Sequence, residues 1–178
     1  MVGDCLSNAY GFDTKHSWVT LLDNRLQQNN LPYQIVNLSE TADTTSNSLE
    51  KLPTALKRYK PAIVIIAAGG NDGLRGINVS HIQNNLNAMV ELSQQANAKV
   101  LLVSFLVPEN YGPIYRKRFE SIYESIVNRY HLPEVIRFAK KRKQQKVVEQ
   151  DNIHLTPEAQ PIVFDAIWAK LSGLLTDV

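Results

Sequence analysis

Three residues of this chain have the types and spacing needed for nucleophilic chemistry. Cys5 stands near the start of the chain, and Asp151 and His154 lie three residues apart near its end. A thiolate is a strong nucleophile, but it needs a base or a positive field in order to form. A carboxylate three residues before a histidine can reach the imidazole Nδ1, fix its tautomer and leave the other ring nitrogen facing a nucleophile. The pattern predicts a nucleophile, a base and an orienting group.

Asn71 is a fourth candidate, and it follows two glycines and an apolar run at 62–68. The glycines permit close backbone approach, and an asparagine amide can donate to an oxyanion. Taken alone, each candidate has a simpler interpretation. Cys5 is then a small buried hydrophobe, His154 a solvated residue beside an aspartate turn, and Asn71 part of a turn.

The composition narrows the class of protein. A length of 178 residues suits one domain with a sizeable core, and a net charge of +2 is too small to indicate nucleic acid as a partner. The single cysteine excludes an internal disulfide, and no group of Cys, His, Asp and Glu has the spacing of a metal site. No apolar run approaches the roughly 18 residues of a membrane span, and no signal peptide is visible. We expect no metal, no nucleic acid and no stable membrane insertion.

A basic stretch at 137–146 holds six basic residues and no acidic one. Such a run is typical of a solvated face. The alternative is a basic rim that attracts phosphate-bearing substrates or anionic lipid surfaces.

The secondary-structure pattern alternates between strands and helices, which is typical of an α/β domain with a parallel sheet and helices on both faces. Such sheets place their sites at the carboxyl ends of the strands. We predict about five strands, at 1–3, 33–38, 62–68, 99–107 and 133–138. We predict helices at 17–28, 49–59, 80–96, 115–130 and 157–171, with Ser17 and Ser80 as N-caps.

Three motifs occur in an order that resembles the SGNH/GDSL hydrolases, and in particular their bacterial acyl-CoA thioesterase/lysophospholipase group. They are Gly3-Asp4-Cys5 near the start, Gly69-Gly70-Asn71-Asp72 in the middle and Asp151-Asn152-Ile153-His154 near the end. The resemblance implies a three-layer α/β/α, flavodoxin-like fold over 1–178 as a single domain. It also implies hydrolysis of small-molecule acyl esters and thioesters without a cofactor. It favours a periplasmic or secreted location, leaves the cytoplasm open, and assigns no oligomeric state.

The same resemblance implies a role for each matching residue. Cys5 stands where most of the family has serine, His154 is the general base, and Asp151 orients it. The oxyanion hole is formed by the Asn71 side chain and by the backbone N–H groups of Cys5 and Ala42. Ala42 replaces a glycine usual in the family, which matters if the loop needs a positive φ. The loop at 107–112 is expected to cover the acyl-binding groove, with substrate-binding residues Val107, Pro108, Asn110, Tyr111 and Gly112.

Cysteine at the position of the serine leads us to expect weak activity. Sulfur is larger than oxygen and forms longer bonds, and small misplacements of a reacting atom can cost about 10²-fold in rate. The alternative is an inactive homologue that binds lipid or a protein partner, because a fold does not fix a function.

Overall fold

A computed structural model describes residues 1–105, 107–133, 136–138, 147–149, 151 and 153–175. Its strands are β1 (Val2–Gly3), β2 (Ile63–Ala67), β3 (Lys99–Phe105) and β4 (Ile136–Phe138). Its helices are α1 (Trp18–Gln28), α2 (Thr45–Tyr59), α3 (Gly70–Leu74), α4 (Val79–Gln95), α5 (Pro113–Tyr130) and α6 (Gln160–Leu171). Short 3₁₀ turns cover Cys5–Ser7, Thr14–His16, Glu109–Tyr111 and Pro157–Ala159.

The described strands form a parallel sheet in the order β1-β2-β3-β4. Successive side chains of a strand point to opposite faces, and β2 shows this clearly. Val64 and Ile66 pack with α2, α4 and α5, while Ile65 and Ala67 pack with α1 and α6. Ile66 and Ala67 are fully buried, which explains why the strand is apolar at every position. The predicted α/β/α layering is confirmed.

The predicted strand at 33–38 is wrong in the structure, which has four described strands rather than about five. The segment still lies beside the start of β1. The Leu38 N–H donates to the carbonyl of Met1 at 3.0 Å, and the Met1 ammonium donates to the carbonyl of Val36. Because β1 offers only two paired residues, it is too short a partner for a second regular ladder.

Several predicted boundaries also move, each for a local reason. The fourth helix is capped by Asn78 rather than Ser80, since the Asn78 side chain accepts the Ser80 N–H. The second helix starts at Thr45 because Thr44 and Asn47 form a reciprocal capping box. The last α-helix starts at Gln160, so Pro161 stands in its first turn, where no helical hydrogen bond is lost. The helix α3 was not predicted.

None of the described helices is both long and apolar enough to cross a membrane. The basic side chains at 137–146, whose two interpretations were a solvated face and a basic rim, lie outside the residues whose side chains are described.

Candidate active site

The Cys5 turn begins where β1 ends, at the carboxyl edge of the sheet. Gly3 is required there, since a Cβ at this position would stand 2.8 Å from the carbonyl oxygen of Ala67 in β2. Asp4 caps the turn, with its Oδ1 accepting the Leu6 N–H at 3.1 Å. This geometry places Cys5 at the carboxyl end of β1, where a site is expected, although β1 is the edge strand of the described sheet.

The Cys5 thiol is buried, with 7% of the residue exposed. The backbone N–H groups of Cys5, Leu6 and Ala42 face the sulfur and lower its pKa. Burial, followed by the charge of Asp4, has the larger opposite effect and raises the pKa of the thiol to about 12. The resting thiol is therefore neutral. The charged group that acts on it is the acid Asp4, which is the opposite of the positive field that a resting thiolate needs.

The loop at 41–44 brings Ala42 to this sulfur. Ala42 has a φ of 67°, in the left-handed region that favours glycine. The loop is held from two sides, since Arg75 donates to the Ala42 carbonyl at 3.0 Å and the Asn8 amide donates to the Thr41 hydroxyl at 3.3 Å. The positive φ that the family resemblance suggested at this position is present.

Asn71 lies in the first turn of α3, just beyond the carboxyl end of β2. Gly69 makes the preceding turn with a φ of 110°, and a Cβ there would collide with the hydroxyl of Tyr123 at 2.1 Å. The Asn71 Nδ2 donates to the carbonyl of Asp43 at 2.9 Å, which fixes the amide beside the loop of Ala42. The amide has two N–H groups, so this bond leaves one donor for a ligand. The structure brings Cys5, Ala42 and Asn71 to one corner of the fold.

Asp151 and His154 form a compact turn of their own. The Asp151 Oδ2 lies 2.6 Å from the imidazole Nδ1 of His154. The other carboxylate oxygen accepts the backbone N–H groups of Ile153 at 2.8 Å and of His154 at 3.0 Å. These bonds, led by the one to the imidazole, lower the pKa of Asp151 to about 2. The aspartate turn and the oriented imidazole, which the sequence offered as alternatives, are both present.

The site has two halves, one formed by Cys5, Ala42 and Asn71 and the other by Asp151 and His154. Tyr10 connects them, and the sequence did not predict it. Its ring stacks on the imidazole of His154, with centroids 4.5 Å apart and planes 30° apart. Among the described contacts, His154 touches Asp151 and Tyr10, and the Cys5 thiol makes no hydrogen bond to the imidazole. The only sequence signal for Tyr10 was its position five residues after Cys5.

The predicted substrate-binding loop divides into a buried and an exposed part. Val107 is 3% exposed and packs in the core beside Gly73 and Phe119, so it does not line a groove as predicted. Pro108 is half-buried and Asn110 is exposed. Tyr111 donates its hydroxyl to the carbonyl of Leu74 at 2.5 Å, and together with Gly112 it lines an open cleft of about 710 Å³.

Residues 1–161 match the GDSL-like lipase/acylhydrolase family. The chain is 38% identical to esterase TesA of Pseudomonas aeruginosa, over 98% of this chain and 88% of that protein. It is 31% identical to thioesterase 1/protease 1/lysophospholipase L1 of Escherichia coli, over 98% and 83% of the two chains. A crystal structure of TesA superposes with a TM-score of 0.89 at 36% identity and covers 98% of this chain and 97% of that one. The chain therefore belongs to the GDSL-like lipase/acylhydrolase family, as its motifs predicted, and it is a hydrolase.

Proposed function

We propose that this hydrolase cleaves small-molecule acyl esters and thioesters through an acyl-enzyme formed on Cys5, with His154 as the base. The observation that carries the proposal is the 2.6 Å contact between Asp151 and the imidazole Nδ1, which leaves Nε2 free to take a proton. The names of the relatives, an esterase and a thioesterase/lysophospholipase, support this class of substrate.

The neutral state of the thiol decides how the first step runs. Because the pKa of Cys5 is raised, the proton leaves during the attack and not before it. The Sγ bonds to the carbonyl carbon as the thiol proton passes to Nε2 of His154. Asp151 stabilises the imidazolium that forms. The site then works as it would with a serine hydroxyl, where general-base assistance is obligatory.

The carbonyl oxygen becomes an oxyanion in this step, and three donors are available for it. They are the backbone N–H groups of Cys5 and Ala42, which already face the sulfur, and the free N–H of the Asn71 amide. Collapse of the intermediate expels the alcohol or thiol of the substrate, which takes the proton from His154. A water molecule, deprotonated by His154, then attacks the thioester. The C–S bond breaks, the acid is released, and the Cys5 sulfur takes the proton back from His154.

The cleft beside Tyr111 and Gly112 is our candidate for the acyl groove, since Ile77, Val79 and Ile114 line it together with polar residues and it lies just after α3 in the chain. Residues 1–178 form one domain in this proposal, because the two core clusters share one sheet. The family resemblance favours a periplasmic or secreted enzyme.

The test compares the parent chain with Cys5→Ser and Cys5→Ala on aryl esters and thioesters of graded chain length. We expect weak turnover by the parent and a gain of about tenfold or more for Cys5→Ser, since the donors are set for a shorter bond. Deacylation should limit the turnover rate of the parent, so an acyl adduct on Cys5 should accumulate and be visible by mass spectrometry of the intact protein. Cys5→Ala, which lacks a nucleophile, is the matched control and should show no adduct.

Two outcomes would contradict parts of this proposal. If Cys5→Ser is slower than the parent on both esters and thioesters, the site is not shaped around a serine. If neither the parent nor Cys5→Ser acylates while both are folded, the inactive homologue that binds lipid or a partner replaces the enzyme.

A further inference from the structure

Asp4 is a buried carboxyl group with no part in the steps above. The residue is 1% exposed, and its Oδ1 accepts the Leu6 N–H at 3.1 Å. The backbone N–H of Asn71 also faces the carboxyl, so the group stands between the nucleophile turn and α3. Its Oδ2 is buried and accepts no hydrogen bond within the part of the chain that the structure describes. A buried oxygen without a partner is costly, more so when it carries charge.

The backbone is shaped to admit this carboxyl. A Cβ at Gly70 would stand 3.0 Å from Oδ2, so a larger residue at that position would press on it. Asp4 therefore contacts two of the three elements that supply the candidate oxyanion donors: its own turn, which carries the N–H of Cys5, and the start of α3, which carries Asn71. A side chain in this place can fix the position of the Cys5 turn relative to α3.

The charged and titratable groups around Asp4 favour its neutral form. Asp72 faces it from α3 and Asp43 from the loop at 41–44, and both raise its pKa. The hydroxyl of Tyr123 in α5 and the thiol of Cys5 feel its charge in turn. Burial is the largest effect, and together these influences raise the pKa of Asp4 to about 7 against the opposing N–H groups of Leu6 and Asn71.

We propose that Asp4 is a positioning residue for Cys5, whose carboxyl group lies between the Cys5 turn and the start of α3 and whose ionised form suppresses the reactivity of the thiol. The negative charge of an ionised Asp4 raises the pKa of the Cys5 thiol, and it opposes every state in which charge develops on the sulfur or on an oxyanion beside it. Ionisation of Asp4 therefore acts against the reaction. The inference deepens the proposed function, since it takes Cys5 as the reacting atom, but its test does not need turnover.

The test measures the rate of Cys5 alkylation by iodoacetamide from about pH 5 to pH 10, in the parent and in Asp4→Asn. Asparagine retains an oxygen for the Leu6 N–H and cannot ionise. We expect Asp4→Asn to react about tenfold faster than the parent near pH 9, which corresponds to a thiol pKa lower by about one unit. Asp165→Asn, which removes an exposed carboxylate from α6, is the matched control and should follow the parent. Superimposable profiles for the parent and a folded Asp4→Asn would overturn the inference.

A second measurement holds even if Asp4→Asn does not fold. In the unsubstituted protein, the logarithm of the alkylation rate should rise with pH less steeply around pH 7, where Asp4 ionises, than above and below it. The bend must persist in His154→Ala, which excludes the imidazole as its source. A uniform slope of about one through this range overturns the inference. If the alkylation results appear as expected but no ester is hydrolysed, the proposed function fails and the role of Asp4 in setting the thiol stands.

Discussion

The two halves of the candidate site differ in how their carboxyl groups are satisfied. Asp151 is on the surface, its side chain is 44% exposed, and both its oxygens accept hydrogen bonds from within its own turn. Asp4 is buried, one of its oxygens has no partner among the described residues, and two further acids lie around it. The pKa of Asp151 is lowered to about 2, whereas that of Asp4 is raised to about 7.

This difference separates what a turn does alone from what the rest of the fold imposes. The orientation of His154 is produced by the contact with Asp151, three residues before it, and by the stacked ring of Tyr10, and it needs little from the sheet. The pKa of the Cys5 thiol depends on its burial, on Ala42 in the loop at 41–44, and on Asp4, whose own pKa depends on residues of α3. Changes in the first half should therefore alter the chemistry with little effect on stability, and changes in the second half should alter both.

Asp151→Asn should have the largest effect, and it should fall on activity alone. The asparagine oxygen can still accept the N–H groups of Ile153 and His154, but its NH₂ would face Nδ1 and favour the wrong tautomer. We expect kcat/KM for an aryl ester to fall by about 10³–10⁴-fold, as when a triad carboxylate becomes an amide. The midpoint of urea unfolding at neutral pH should change little, because the Asp151 side chain is 44% exposed and the asparagine can still accept both backbone N–H groups. A loss of less than about threefold would remove Asp151 from the mechanism.

The pH dependence of stability should distinguish the two carboxyl groups. Asp4 keeps its proton in the folded state up to about pH 7, while the unfolded chain loses it near pH 4, so its contribution to stability falls as the pH rises between these values. The contribution of Asp151 to stability depends on pH in the opposite direction. It is present above about pH 4 and is lost as the pH falls towards 2.

Urea unfolding at several pH values measures both contributions. In the parent, the free energy of unfolding should decline by about 2–4 kcal/mol between about pH 4 and pH 7 because of Asp4. In Asp4→Asn we expect this decline to be smaller. Asp151→Asn should leave that decline unchanged and weaken only the loss at acid pH. A parent whose stability rises from about pH 4 to pH 7, with the same slope in Asp4→Asn, would contradict the buried neutral carboxyl.

Ala42→Gly should produce the smallest effect, and it should be a gain. Ala42 is exposed, so its methyl group contributes little burial, and its φ of 67° costs an L-residue about 1 kcal/mol. Glycine removes that cost, and we expect Tm to rise by about 2–4 °C. Ala55→Gly, in the middle of α2, is the control with the opposite sign, since glycine in a helix interior loses about 1 kcal/mol. A lower Tm for Ala42→Gly would show that the methyl group makes a contact that stabilises the loop.

The sequence was most informative where contacts are local. Asp151 and His154 are three residues apart, and their predicted contact is present. The positive φ of Ala42 was also suggested, although by the family resemblance and not by periodicity. Apolar runs likewise located β2 and β3 to within two residues at each end, because burial on both faces leaves a clear composition.

The features that the sequence did not predict depend on distant partners. The raised pKa of Cys5 comes from burial and from Asp4, whose own state depends on Asp72 in another element. The family resemblance placed Val107 in the loop over the groove, but the side chain packs beside Gly73 and is buried. The segment at 33–38 has strand composition, yet a strand also needs a partner of sufficient length, and composition does not show that.

The stack of Tyr10 on His154 makes the rotational freedom of the base a property of the amino-terminal loop. With one face against a phenol ring and Nδ1 held by a carboxylate, the imidazole has few alternative rotamers. The imidazole therefore loses its conformational entropy when the protein folds, and binding of a substrate does not have to order it again. Because Tyr10 lies three residues after the turn Cys5–Ser7, the segment that carries the nucleophile also restricts the rotation of the base.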